Sequence, residues 1–196
     1  MRCRRAGDAG LTLTELMVAV TILGILATVS VSAFKTDPVA DSATKTAALI
    51  QEARRLAITN GPVRADVVAA LRAASFPAPT ARSYVIFSAT AGGQNVVTLR
   101  RLIEGAAVGT YRWENDLSFS LPSDVVIPYL DTPDLTTQPR SYVGAGSPVT
   151  RWFFPTGSAS PMMVYLGKRN DAAGNASRYS IRVLQLSGLA DTAKGW

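Results

Sequence analysis

The feature that most constrains this chain is an uncharged apolar run of 19 residues at positions 16–34. As a helix rising about 1.5 Å per residue, the run would extend about 28 Å, roughly the thickness of a bilayer's hydrocarbon core. Arg2, Arg4 and Arg5 precede it, and basic residues beside an apolar span favour the cytoplasmic side of a membrane. The pattern therefore predicts one transmembrane segment, with the rest of the chain on the far side of the membrane.

Glu15 stands at the head of this run, where a carboxylate costs free energy, up to about 3 kcal/mol if it is carried toward the bilayer centre. Such a group needs a cation. If the chain were cut after Gly10, the new α-amino group of Leu11 would lie four residues from Glu15, on the same helix face. In a bundle of such helices, the amine of a neighbouring subunit is the other candidate.

The residues Gly10-Leu11-Thr12-Leu13-Thr14-Glu15 and the apolar run behind them resemble the class III signal of type IV prepilins and type II secretion pseudopilins. The resemblance implies that a prepilin peptidase cleaves after Gly10 and that Leu11 becomes the N-methylated first residue of the mature chain. It also implies that Glu15, the fifth mature residue, guides subunit assembly. Leu11 departs from the family, whose first mature residue is usually Phe or Met.

The resemblance continues beyond the signal. The stretches at residues 49–61 and 154–158, with Gly188, are similar to the FimT/GspH-like pseudopilins. Residues 65–79 have no counterpart there, which predicts an insertion.

Other interpretations of the apolar run remain open. Val31-Ser32-Ala33 offers a small-residue cleavage site for an ordinary signal peptide, but the run exceeds the usual length of about 15 residues and starts beside Glu15. A plain signal anchor has the same hydropathy. Length, terminal position and basic flank disfavour a buried core helix. A lipoprotein is excluded because Cys3, the only cysteine, precedes the run.

Composition excludes several kinds of chemistry. The chain has 196 residues, enough for one domain and an anchor, and it contains no histidine. Ser-His-Asp and Cys-His catalysis and the commonest zinc ligands are therefore absent. A chain cleaved after Gly10 would lack Cys3 and hence any disulfide. The net charge of +6 is not clustered in the manner expected of a nucleic-acid-binding domain.

The order of patterns predicts an α+β fold with a pilin-like organisation. Its parts are a leader (1–10), a transmembrane and assembly helix (11–34), an amphipathic periplasmic half of that helix (35–61) and a mainly antiparallel β domain (62–196). Pro38 predicts either a kink or a new helix capped by Asp37. Ala43, Ala47, Ile50, Ala53 and Ala57 form a stripe at helical spacing, which is expected to pack on a sheet.

The remaining elements follow from alternation and from Gly and Pro positions. A short helix is predicted at 65–75, a long loop at 128–148, a turn at 170–175, and the end of the sheet at Gly188. The predicted strands are 82–88, 95–103, 108–113, 118–121, 125–129, 151–154, 162–167 and 178–186.

Few residues suggest further chemistry. Asp131 and Asp134 are too few ligands for a calcium site, so no metal and no cofactor is predicted. Arg100-Arg101 and Lys168-Arg169 are interpreted as solvated strand edges. Some FimT-type proteins bind DNA through a basic C-terminal segment, but the corresponding residues 187–191 contain no arginine.

The sequence thus predicts a non-enzymatic minor pseudopilin or minor pilin that is anchored in the inner membrane, with its C-terminal domain in the periplasm. Its expected partners are the prepilin peptidase and other pilins or pseudopilins, in a pseudopilus or pilus, and nucleic acid is not expected. The alternatives are a DNA-binding minor pilin of a competence pilus and a membrane-anchored periplasmic enzyme of unrecognised fold.

Overall fold

The computed structural model describes residues 13–14, 16–22, 37–132, 141–169 and 178–195. The chain divides into two units, Met1–Thr36 and Asp37–Trp196. In the first unit, the described residues are helical. Within the described ranges, no helix is both long and apolar enough to cross a membrane. Most of the predicted transmembrane segment at 11–34 falls outside those ranges.

Helix α1 spans Pro38–Thr59 and opens the second unit. Asp37 is its N-cap, and the Asp37 carboxylate accepts a hydrogen bond of 3.0 Å from the Val39 N–H. Pro38 occupies the first turn, where a missing N–H costs nothing. Of the two alternatives at Pro38, the new capped helix is therefore correct. The helix ends at Asn60, and Gly61 follows with φ of 62°, as predicted from Asn60-Gly61-Pro62.

The predicted stripe of α1 packs against β-sheet, as expected. Ala43, Ile50, Ala53 and Ala57 are fully buried in the main core, and Ala47 packs against it. A polar contact fixes the helix in place, because the Ser83 hydroxyl donates to the Ala53 carbonyl at 2.6 Å. Small side chains along this face allow the helix backbone to approach the sheet closely.

A second helix, α2, spans Ala65–Ala73, close to the predicted 65–75. Ten strands follow α1 and α2 in the described residues, and the hairpin predicted for the first two is confirmed. The strands are β1 Ser83–Ala89, β2 Asn95–Glu104, β3 Tyr111–Ser120, β4 Val125–Val126, β5 Tyr129–Asp131, β6 Ser141–Tyr142, β7 Val149–Phe153, β8 Met162–Lys168, β9 Tyr179–Val183 and β10 Ala190–Lys194.

The strands form two sheets with antiparallel pairing. One is four-stranded, in the order β3-β2-β1-β7, and the other runs β10-β9-β8-β5-β6 with β4 beside β8. Both contribute to one core under α1, with Phe87 and Phe153 from the first sheet and Leu166 and Ile181 from the second. The predicted α+β class, a helix followed by an antiparallel sheet domain, is confirmed for this unit.

Three predicted element boundaries are wrong. Strand β3 is continuous through Glu114, Asn115 and Asp116, where polar residues had suggested a break between strands at 108–113 and 118–121. A register shift opposite Leu99 and Arg100 absorbs an extra residue, and cross-strand pairing holds the polar segment extended.

The other two errors concern the sheet edges. The predicted loop at 128–148 contains β5 and β6, and Gly188 does not end the sheet, because β10 returns along β9. Strand β10 is polar and mostly exposed, so hydropathy gives no sign of it. It is specified by backbone pairing with β9.

Candidate functional site

The predicted processing and assembly residues, Gly10, Leu11 and Glu15, lie outside the described residues. The helical residues beside them carry large apolar side chains that are each more than half exposed. An apolar helix surface of this extent is a surface for lipid or for other helices. These side chains are Leu13, Leu16, Met17, Val18, Val20 and Ile22.

In the second unit, the end of α1 is joined to two turns around Arg54. The Arg54 Nε donates to the Ser187 carbonyl. Gly188 has φ of 61°, and a Cβ added there would meet the Gly157 carbonyl oxygen at 2.5 Å and the Arg54 Cδ at 3.3 Å. Gly157 has φ of 83°, and a Cβ added there would meet the Ile58 Cδ1 at 3.4 Å, an ordinary van der Waals contact. The backbone conformation therefore favours glycine at both positions, and close approach adds to this at Gly188.

This junction unites the stretches that resemble the FimT/GspH-like pseudopilins. Residues 49–61 supply Arg54 and Ile58, and residues 154–158 supply Gly157. Gly188 packs against both Arg54 and Gly157. The Gln51 amide adds a hydrogen bond of 3.2 Å to the Ala190 carbonyl. The pattern that the sequence shows at three distant places is thus one packing arrangement, which holds α1 to the second sheet.

A second buried junction attaches α2, the predicted insertion. The Arg82 guanidinium, with 8% of its side chain exposed, lies 2.9 Å from the Glu104 carboxylate. It also donates to the carbonyls of Gly61 and Pro62. Glu104 in turn accepts from the Arg64 N–H at 2.9 Å. The link between α1 and α2 is therefore fixed to β2 by one arginine and one glutamate, which sequence reasoning missed because their contact joins distant residues.

Asp66 completes the attachment at the start of α2. Its carboxylate pairs with the Arg64 guanidinium at 2.6 Å and accepts from the Gly109 N–H at 2.6 Å. The Arg64 hydrogen bond, and next the Gly109 hydrogen bond, hold the pKa of Asp66 well below its usual range. The ionised carboxylate therefore links α2 to the β2–β3 loop.

An aromatic cluster lies next to α2 on the four-stranded sheet. The rings of Phe76 and Trp113 are stacked, with centroids 5.2 Å apart. Tyr84 contacts both Trp113 and Trp152, at 4.7 and 4.6 Å. Phe76 and Trp113 also pack on the small core that α2 forms with the sheet. The cluster is explained by packing, and it could not be predicted from sequence patterns because its members lie on separate strands and loops.

The interpretation of the basic pairs as strand edges is wrong. Arg100 and Arg101 lie on β2, an inner strand of its sheet. Arg100 Nε donates to the Asn115 side chain at 2.6 Å, and Arg101 lies 3.4 Å from Glu114 and from Asp116. Arg101 is therefore paired with carboxylates of β3, and Arg100 is hydrogen-bonded to the neutral Asn115 side chain, which accounts for the polar residues of that strand.

The second basic pair, Lys168-Arg169, does not lie on a sheet edge either. Lys168 ends β8, which is also an inner strand, and Arg169 donates to the Gly93 carbonyl at 2.6 Å. Of the two carboxylates weighed for calcium, Asp131 lies in β5 and Asp134 falls outside the described residues. Among the described residues, no three His, Cys, Asp or Glu side chains are grouped as a metal site would require.

Comparison with known proteins bears on the N-terminal unit. Residues 5–31 match the family model described as the prokaryotic N-terminal methylation motif. That motif is typical of type IV prepilin-like proteins, so the resemblance drawn from Gly10 to Glu15 is confirmed at that level. No curated protein and no solved structure matches the chain.

Proposed function

We propose that this chain is a minor pseudopilin or minor pilin, a structural subunit of a type II secretion pseudopilus or a type IV pilus. A prepilin peptidase cleaves it after Gly10, Leu11 is N-methylated, and the segment at 11–34 anchors it in the inner membrane. The domain that follows lies in the periplasm until the subunit joins the fibre. The observation that carries the proposal is the methylation motif at residues 5–31.

The second unit supports a structural role of the FimT/GspH type. A long helix packed on antiparallel sheets is the organisation expected of a pilin-like domain, and the junction at Arg54, Gly157 and Gly188 joins the stretches whose sequence resembles that group. Arg101 pairs with Glu114 and Asp116 of β3, and Arg100 donates to the Asn115 side chain of the same strand. No observation therefore favours the DNA-binding alternative.

The experiment that tests the assembly role changes Glu15 to Gln, which removes the charge and keeps the shape. A neutral amide costs less than a carboxylate in hydrocarbon, so membrane insertion and cleavage should be unchanged. Pairing with the amine of an incoming subunit should be lost, since an amide carries no charge. We expect the variant to be cleaved normally but to co-purify poorly with partner pilins from detergent extracts.

The control is the adjacent change Thr14→Val, which leaves Glu15 intact and should preserve both cleavage and co-purification. A Glu15→Gln chain that is cleaved and assembles like the parent would mean that Glu15 is not an assembly group. The plain signal anchor would then be the better interpretation of the N-terminus.

A further inference from the structure

Basic residues gather at one end of the second sheet. Lys168 ends β8, Arg178 precedes β9 and Lys194 ends β10, and these three strands are neighbours in that sheet. Because the strands pair antiparallel, the ends of β8 and β10 lie beside the start of β9. Arg169 follows Lys168 directly. These four residues form what we call the basic end of the second unit.

The side chains of the basic end are accessible to a partner. Lys168, Arg169 and Lys194 are exposed. None of these three pairs with a carboxylate among the residues that the structure describes. Asp124 lies next to them, because its carbonyl accepts from the Arg169 N–H at 2.7 Å. The three positive charges are therefore not paired within the described part of the chain.

The course of β10 places the basic end near the start of α1. The Ser187 carbonyl accepts from Arg54, and the Ala190 carbonyl accepts from Gln51. The chain therefore moves toward the start of α1 as it enters β10. Lys194 is four residues further along the strand, a distance of about 13 Å.

The first sheet runs in the same direction. Strand β1 begins beside Ala53, whose carbonyl accepts from the side chain of its first residue. Phe119 of β3, level with the start of β2, lies beside Lys45, which is two turns earlier on α1. The turn between β1 and β2 is therefore near the start of α1, and Arg169 donates to the Gly93 carbonyl of that turn at 2.6 Å.

The first turns of α1 only partly offset this charge. Asp41 is paired with Lys45 at 2.8 Å, and the Asp37 carboxylate caps the helix. Among the described residues at this end, Asp37 and Asp124 oppose the four cations, which leaves an excess of two positive charges. That excess is small for duplex DNA, since a DNA-binding protein contacts on the order of 6 to 10 phosphates.

A small excess of charge is sufficient for a surface to which the chain is already tethered. Only Lys35 and Thr36 separate Asp37 from the apolar run that ends at Phe34. Three residue steps span at most about 11 Å. If the segment at 11–34 is anchored in a membrane, the start of α1 stays close to the lipid headgroups, and the tether raises their effective concentration.

We propose that the basic end binds the headgroups of anionic phospholipids and holds the domain on the membrane surface until the subunit enters a fibre. A lysine or arginine near an anionic membrane surface favours binding by about fivefold. The proposal rests on the membrane anchor of the proposed function. It adds a lipid partner for the second unit, which the subunit leaves when it assembles with other pilins.

The experiment uses the full chain with Cys3→Ser, which removes the only native thiol. The chain is reconstituted in vesicles of zwitterionic lipid, with or without anionic phosphatidylglycerol, and a headgroup nitroxide serves as quencher. A bimane fluorophore is attached at Ser123→Cys, next to Asp124, or at Ala73→Cys on α2, which follows the end of α1. Both positions are exposed.

Headgroup contact should quench the bimane at Ser123→Cys more strongly in anionic than in zwitterionic vesicles. The bimane at Ala73→Cys should show no such difference, because it lies at the other end of the unit. At about 1 M salt, where the screening length falls to about 3 Å, the difference at Ser123→Cys should disappear. Equal quenching in the two lipids at low salt would contradict the proposal.

The test variant combines Lys168→Gln with Lys194→Gln and leaves Arg169 to hold the Gly93 carbonyl. At about fivefold for each lysine, the ratio of docked to undocked domain should fall about 25-fold in anionic vesicles. The matched control combines Arg72→Gln with Arg112→Gln, which removes two exposed positive charges away from the basic end. It should leave the quenching unchanged, and equal losses in the two variants would contradict the proposal.

Nucleic acid is the competing partner for a basic surface. Short duplex DNA, added at physiological salt, should leave the headgroup quenching at Ser123→Cys unchanged. If DNA abolished the quenching, the basic end would be a nucleic-acid surface and the lipid proposal would be wrong.

Alkaline extraction of the same vesicles separates the lipid contact from the proposed function. A chain that resists extraction but shows no dependence on lipid charge contradicts the contact and leaves the proposed function standing. A chain that alkali removes, but whose quenching depends on lipid charge and on Lys168 and Lys194, supports the contact and contradicts the membrane anchor.

Discussion

The two units of this chain are specified by different kinds of information. In Met1–Thr36, a few residue types at fixed spacings form a motif that is recognised over residues 5–31. In Asp37–Trp196, the decisive contacts join residues far apart in sequence, such as Arg54 with Ser187 and Arg82 with Glu104. A processing enzyme or a membrane recognises a short segment of the chain, whereas a fold depends on many contacts that form together. The first unit therefore indicates the function of the chain, and the contacts of the second unit explain its stability.

The contact between Arg82 and Glu104 offers the largest test of the second unit. Arg82→Met keeps the approximate length of the side chain but removes the donor to the carbonyls of Gly61 and Pro62 and leaves Glu104 with Arg64 but without its Arg82 partner. Breaking a buried pair in this way should lower the free energy of unfolding by about 3 to 5 kcal/mol. Urea denaturation of residues 37–196, which form a compact unit, measures the change.

The control for that prediction is Arg112→Met. Arg112 is 72% exposed and lies 3.9 Å from Glu114, so its loss should change the free energy of unfolding by less than about 0.5 kcal/mol. Equal effects of the two substitutions would show that the junction at Arg82 does not stabilise the fold.

Gly188 gives the next largest effect. In Gly188→Ala, the added Cβ would lie 2.5 Å from the Gly157 carbonyl oxygen, and the residue would keep a left-handed conformation. Left-handed strain and overpacking together should cost about 2 to 3 kcal/mol. Gly146 has φ of 80° with nothing within 4 Å of an added Cβ, so Gly146→Ala should cost only the strain, about 1 kcal/mol. The same denaturation assay would contradict this account if the two variants were equally stable.

These contacts mark the limit of what the sequence could predict. The stripe of α1, its stop at Gly61 and the first hairpin follow from local patterns, and the structure confirms them. The Asp37 cap was one of two alternatives that the sequence left open at Pro38, and the structure selects it. Strand β10 and the continuity of β3 could not be predicted in this way, because their polar residues are held by pairing with β9 and β2. The roles of Arg100 and Arg101 were misjudged for the same reason, since their partners lie on a neighbouring strand.

Asp66 gives the smallest effect, and it is one of pH dependence. Its pKa is lowered in the folded chain by the Arg64 and Gly109 hydrogen bonds. The ionised carboxylate therefore stabilises the fold above its unfolded pKa, about 3.9, and this contribution is lost as the pH falls through the lower folded pKa. Asp66→Asn should be less stable than the parent at neutral pH, and the difference should shrink on acidification below about pH 4.

The matched change is Asp41→Asn, at an exposed pair with Lys45 on α1. Thermal unfolding at several pH values should show a smaller difference for this variant. If Asp66→Asn and the parent differed by the same amount at every pH, the carboxylate would not be the group that holds α2.

The central claim concerns the first unit and is tested most directly by intact-mass measurement after co-expression with a prepilin peptidase. The account predicts a chain that is shorter by the ten residues of the leader, begins at Leu11 and carries one added methyl group. Replacing Gly10 by a bulky residue such as Leu should block cleavage and leave the full-length mass. Cleavage after Ala33, or no cleavage of the parent chain, would contradict the claim that this is a pilin-like subunit.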